Sequence, residues 1–158
     1  MSASDVLLAV KHGLDGVMLS NHGGRNLDTS PPALLTLLEC HRRCPEVFAR
    51  LEIYIDGGIR RGSDVLKCLA LGATAGGLGR PALFATGYGQ EGVEHLLEIM
   101  RDELEVAMRN CGVTCLDEVG PELVNTGDLD HLVPAMEGHP YVRDWRGEGR
   151  GRGLKARL

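Results

Sequence analysis

Three short apolar runs, each followed by a glycine-rich loop and then a helical pattern, constrain this chain more than any other feature. Gly16-Val-Met-Leu-Ser20, Glu52 to Asp56 and Thr74 to Leu78 are too short for helices and show little alternation, as expected of strands covered on both faces in a parallel sheet. Between them the pattern predicts helices over Ser4 to His12, Ala33 to Arg43 and Ser63 to Leu71, a turn at Gly79-Arg80-Pro81, and a long amphipathic helix over Glu91 to Asn110. Ser4 is the expected N-cap of the first helix and Gly13 its stop, while Pro31-Pro32 open the second. An internal echo ties the units together. Ser4-Asp-Val-Leu7 recurs as Ser63-Asp-Val-Leu66, Gly13 as Gly72 and Leu19 as Leu78, all at one offset, as a barrel built of similar β/α units would show. A doubly wound open sheet is the rival, but its G-x-G-x-x-G fingerprint after the first strand is absent.

The expected fold class is therefore α/β, the C-terminal part of a (β/α)8 barrel with about three strands and their helices. A complete barrel takes roughly 250 residues, and this chain has 158. Residues 1–140 are read as the partial barrel domain and 141–158 as a flexible Arg/Gly-rich tail. With 43% hydrophobic and 25% charged residues the body is an ordinary globular chain, and no apolar run suits a bilayer. Met1 to Leu8 carries neither a basic n-region nor an apolar h-region, which gives a soluble intracellular protein, cytoplasmic by default.

The net charge of -5 is unevenly spread: from Arg143 onward six basic residues face two acidic ones. Such a tail can bind RNA or anionic membrane, but without interleaved aromatics it is read as solvated, with no nucleic-acid or membrane partner. Its end, Ala156-Arg157-Leu158, resembles a variant of the Ser-Lys-Leu peroxisomal address. Five cysteines fit no disulfide framework. Cys40 and Cys44 bracket His41, yet no second ligand pair accompanies them, so no metal is expected.

In parallel α/β sheets ligands sit beyond the carboxyl ends of the strands. The three ends deliver Ser20-Asn-His-Gly-Gly-Arg25, Asp56-Gly-Gly-Ile-Arg-Arg-Gly62 and Gly79-Arg80, all to one side. Gly57, Gly58, Gly77 and Gly79 would let backbone N–H groups approach an anion, each loop leads into a helix N-terminus, and Arg60, Arg61 and Arg80 would add charge-assisted bonds. A phosphate site follows, with simple tight turns as the alternative. Asp56 suits either a ligand hydroxyl or a helix cap. His22 has the intrinsic pKa of a general base, and Arg25 three residues on can clamp a carboxylate.

Taken in order, Ser20 to Asp28, Ile55 to Asp64 and Gly77-Leu-Gly-Arg-Pro81 resemble the FMN-dependent α-hydroxy acid dehydrogenase family, which includes flavocytochrome b2-type L-lactate dehydrogenases and glycolate oxidases. The resemblance runs from about Ser4 to about Val133. It implies FMN as cofactor, an L-2-hydroxy acid of the lactate or glycolate class as substrate, and oxidation to the 2-oxo acid. The residue matching His22 removes the hydroxyl proton, and that matching Arg25 holds the carboxylate. Ser20 matches a flavin contact, Asp56, Gly57, Gly58, Ile59 and Arg60 the stretch lining ribityl and phosphate, and Gly79 with Arg80 the phosphate anchor. Asn26 stands where the family often has Gln, and Gly76 where it often has Val. The family's flavin-side Lys, active-site tyrosines, second substrate Arg and the Asp paired with the catalytic His have no counterpart here. The chain is accordingly expected to be a C-terminal half, inactive alone, whose partners are the substrate and either further copies of itself or a complementing N-terminal half. A non-catalytic flavin or phosphate module, or a truncated pseudoenzyme, is the alternative reading.

Overall fold

The computed structural model describes residues 2–133. The tail read over 141–158, the 140/141 boundary and the Ala156–Leu158 end lie outside the described residues. The elements run α1 (Ala3–Lys11), β1 (Gly16–Leu19), a 3₁₀ turn (His22–Gly24), α2 (Ala33–Arg43), a 3₁₀ turn (Pro45–Ala49), β2 (Glu52–Ile55) and α3 (Gly62–Ala70). They continue with β3 (Ala75–Gly76), α4 (Arg80–Thr86), α5 (Gly89–Cys111) and three short turns that end at Leu132. The strands form one parallel sheet in the order β1-β2-β3, with Leu19 opposite Ile55 and Ile55 opposite Gly76. Sequential order with a helix between neighbours is what consecutive staves of a barrel require. It also puts all three carboxyl ends on one edge.

One sheet face carries the core. Ile53 and Ile55 are fully buried in one cluster with Leu37 and Val47, and Ala3, Val6, Ala9, Cys68 and Leu71 bring α1 and the α3 end onto the same layer. Each large aliphatic side chain so buried contributes about 1.5–3 kcal/mol. The other face is open: Met18 is 57% and Tyr54 38% exposed, so β2 alternates and the expected coverage on both faces does not hold for the described residues. A buried carboxylate joins the first two helices, because Glu39 accepts the Ala3 N–H at 3.1 Å and pairs with Arg43 one turn along α2 at 3.1 Å.

Several boundaries differ from the sequence reading. Ser2, not Ser4, caps α1, its Oγ accepting the Asp5 N–H at 3.3 Å; Ser4 lies inside the first turn. Pro32 takes the cap position of α2 rather than the first helical one. The turn at Gly79-Arg80-Pro81 is the start of α4, since Pro in the first turn gives up no helical hydrogen bond. Strand β3 pairs only over Ala75–Gly76, although Thr74 N–H and Gly77 N–H donate to Ile53 and Ile55 carbonyls at 2.7 Å on either side. Helix α5 buries only Met100, while Leu97, Ile99 and Val106 are exposed.

All five cysteines are free thiols. Cys40 and Cys44 sit in the core with no exposed surface, and burial pushes Cys40 up to about 12 and Cys68 up to about 11. Only thiolates attack thiol reagents. Native protein should therefore give two fast-reacting thiols, the exposed Cys111 and Cys115, and five after denaturation. A third fast thiol in the native protein contradicts this packing.

Candidate active site at the strand ends

The β1 loop is folded from within. Ser20 Oγ accepts the His22 N–H at 3.0 Å, and Asn21 Oδ1 accepts the Gly24 N–H at 3.1 Å while its Nδ2 donates to the Pro31 carbonyl at 3.2 Å. These bonds hold His22 at φ 54°, in the left-handed region. Its exposed imidazole projects from a loop whose backbone is fixed on both sides. Arg25 closes the turn through its N–H to the His22 carbonyl at 3.3 Å, leaving an exposed guanidinium that pairs with no carboxylate among the described residues.

The β2 loop meets the first one at Gly57. A Cβ there would lie 3.0 Å from Asn21 Oδ1, and Gly57 and Gly58 both take φ near +90°, where a side chain is strained. Asp56 ends the strand. Its Oδ1 is buried and has no hydrogen-bond partner among the described residues, which costs about 1–3 kcal/mol unless a ligand supplies a donor. Ile59 turns its side chain into the core, 5% exposed and against Gly76, so only its backbone can face a ligand. The β3 loop completes the edge: Arg80 Nη2 lies 3.2 Å from where a Gly23 Cβ would be. Gly77 packs on Asp56 and Met18 in the same way, at 3.3 Å each. His22, Asp56, Gly57, Gly58 and Arg80 thus belong to three touching loops.

Two expectations fail at α3. Its N-terminus is already filled by carboxylates: Asp64 Oδ2 accepts the N–H groups of Arg60 and Arg61 at 3.1 Å each, and Glu103 Oε2 accepts that of Gly62 at 2.9 Å. Arg61 turns away from the loops to pair with Glu103 Oε1 at 2.8 Å. Arg60 and Arg80 are exposed, and neither pairs with a carboxylate among the described residues. Asn21 and Glu103 were not singled out by the sequence. An S-N-H-G stretch offers Asn21 only as a turn residue, and Glu103 reads as part of the solvated face of α5.

An Asp56 oxygen with no donor among the described residues, a glycine cradle and the exposed guanidiniums of Arg60 and Arg80 on one edge suit a polyhydroxylated, phosphorylated ligand. The comparisons agree. The family model for FMN-dependent dehydrogenase matches residues 1–126. An L-lactate dehydrogenase (cytochrome) of Wickerhamomyces anomalus is 43% identical over 146 residues, 90% of this chain and 26% of that protein. A glycolate oxidase 3 of Oryza sativa subsp. japonica is 46% identical over 133 residues, 84% of this chain and 35% of that protein. A solved flavocytochrome b2 variant with sulfite bound superposes with a TM-score of 0.77 at 41% identity, covering 99% of this chain and 41% of that one. The chain thus spans about a quarter to two fifths of these three proteins, and its sheet is part of a (β/α)8 barrel.

Proposed function

Because the chain belongs to the FMN-dependent dehydrogenase family, we propose that its strand-end loops are the part of a flavin site at which an L-2-hydroxy acid of the lactate or glycolate class is oxidised to the 2-oxo acid. The orphaned Asp56 Oδ1, set between the His22 loop and the Gly57–Gly58 turn, carries this reading. In it the Asp56 carboxylate takes a ribityl hydroxyl, and the backbone of Gly57 to Arg60 lies along ribityl and phosphate. Gly79 and the guanidiniums of Arg60 and Arg80 hold the phosphate, while Ser20 lies against the flavin. FMN, when bound, supplies the acceptor for the two electrons of the substrate C–H bond.

The remaining chemistry falls to this chain. Arg25 grips the substrate carboxylate with a fork of donors, fixing which face of the α-carbon is presented. His22 would accept the α-hydroxyl proton as the carbonyl forms, and the α-hydrogen would leave together with the two electrons of its bond. An imidazole that gains a proton is stabilised by a carboxylate on its other nitrogen, and among the described residues no carboxylate bonds the His22 ring. The oriented base therefore requires groups from further β/α units, supplied by a complementing N-terminal half or by neighbouring copies, and the 158 residues alone should not turn over.

The test is the visible spectrum of the purified chain after incubation with FMN and removal of free flavin. A retained flavin band that L-lactate and glycolate leave unbleached is expected, with bleaching once the other barrel units are added. A colourless protein overturns the cofactor assignment for these loops. Flavin that no 2-hydroxy acid bleaches even in the completed barrel overturns the substrate class and leaves a flavin-binding module.

A further inference from the structure

The end of α3 that ought to attract a phosphate holds a carboxylate from another helix. Glu103, 42 positions after Arg61, brings one oxygen to the Gly62 N–H at 2.9 Å and the other to the Arg61 guanidinium at 2.8 Å. It reaches because Gly62 has no side chain: a Cβ there would sit 2.1 Å from Leu104 N and 2.5 Å from Glu103 C, so the α5 backbone lies directly on the first residue of α3. Asp64 takes the two preceding N–H groups, of Arg60 and Arg61, at 3.1 Å each. These contacts have three effects. The positive end of the helix is neutralised, Arg61 is removed from the loop edge, and a phosphate arriving there would meet two negative charges. Glu103 is only 30% exposed, so solvent screens this arrangement incompletely.

We propose that Glu103 is a positioning residue for the cofactor phosphate. Resting on the flavin reading above, it fixes the far end of the Gly57–Arg61 loop and closes the α3 N-terminus, so that the phosphate falls between the Gly57–Gly58 backbone, Arg60 and Arg80. The signature is selective for the phosphate, since riboflavin has the same ring and ribityl chain without it. A residue that merely stabilises the fold would change the affinities of FMN and riboflavin together.

The experiment measures dissociation constants of both flavins by fluorescence quenching for the 158-residue chain and for Glu103→Ala and Glu103→Gln. Glu103→Ala should lower the preference for FMN over riboflavin by up to about tenfold, because releasing the loop end that sets the phosphate position outweighs the loss of a repelling charge, with riboflavin changed by less than about twofold. Glu103→Gln keeps an acceptor for the Gly62 N–H and loses the charge, so its preference for FMN should fall by about threefold, between the other two. Equal weakening of both flavins, an unchanged preference in Glu103→Gln, or tighter FMN once the charge is removed overturns the inference and leaves the flavin reading standing. Should Glu103→Ala fail to fold, the Glu103→Gln ratio decides. If the unaltered chain binds neither flavin, the cofactor assignment itself falls, and this inference with it.

Discussion

In the completed barrel, His22→Gln slows reduction of the flavin by an L-2-hydroxy acid about 10²–10⁴-fold, the usual contribution of a positioned general base, while flavin affinity stays within about twofold. The separation follows from how the loop is held. Ser20 Oγ fixes the backbone N–H of residue 22, and Asn21 fixes Gly24 and Pro31; none of these bonds uses the imidazole. Gln matches His in length and polarity but cannot take up the hydroxyl proton at neutral pH. Stopped-flow bleaching of the flavin band gives the rate, and the spectrum of the same sample gives occupancy. Unchanged bleaching would remove His22 from proton transfer, and loss of flavin would move it to the binding surface.

The second large effect is on stability. Gly62→Ala places a methyl group 2.1 Å from the Leu104 nitrogen and 2.7 Å from Glu103 Cβ. Backbone cannot yield as a flexible side chain does, so α5 must lift off α3 or the first turn of α3 must unwind. Overpacking costs typically 1–3 kcal/mol, occasionally more, and this contact belongs at or above the upper end. A chain whose total stability is on the order of 5–15 kcal/mol should lose about 10 °C or more of its melting temperature, read by circular dichroism. A shift under about 2 °C would mean that the two helices are not in backbone contact. Ala at Gly79, where nothing lies within 4 Å, is the matched control.

The sequence displayed its local rules and hid its tertiary ones. Helix α2 begins and ends where its pattern said, at Ala33 and Arg43, because Pro32 and the Cys44-Pro45 pair interrupt the backbone from both sides. The echo between the two Ser-Asp-Val-Leu segments held as well, α1 and α3 starting at Ala3 and Gly62 with the same length of nine residues. What failed needed a neighbour. The pattern offers Ser4 as the cap, but Ser2 holds that position, next to an Ala3 N–H bonded by the buried Glu39 from another helix. Short apolar strands cannot announce that Met18 and Tyr54 face away from the helices. At the strand ends, the sequence singles out His22, Asp56 and Arg80 because strand ends are a topological address, and the structure brings their three loops together. Arg61 was misassigned because its partner, Glu103, lies in a charged stretch (Arg101-Asp-Glu103) like any solvated helix face.

The left-handed backbone at His22 has a consequence for anyone improving this protein by selection. A non-glycine residue in that conformation stands above its relaxed alternatives by about 1–2 kcal/mol, and glycine is the substitution that relieves it. A library screened for heat resistance alone would be drawn toward codon 22, and on the proposed reading its winners would have lost the base that takes the hydroxyl proton. Durability and chemistry pull in opposite directions at this one position, so directed evolution here has to score both traits in every round.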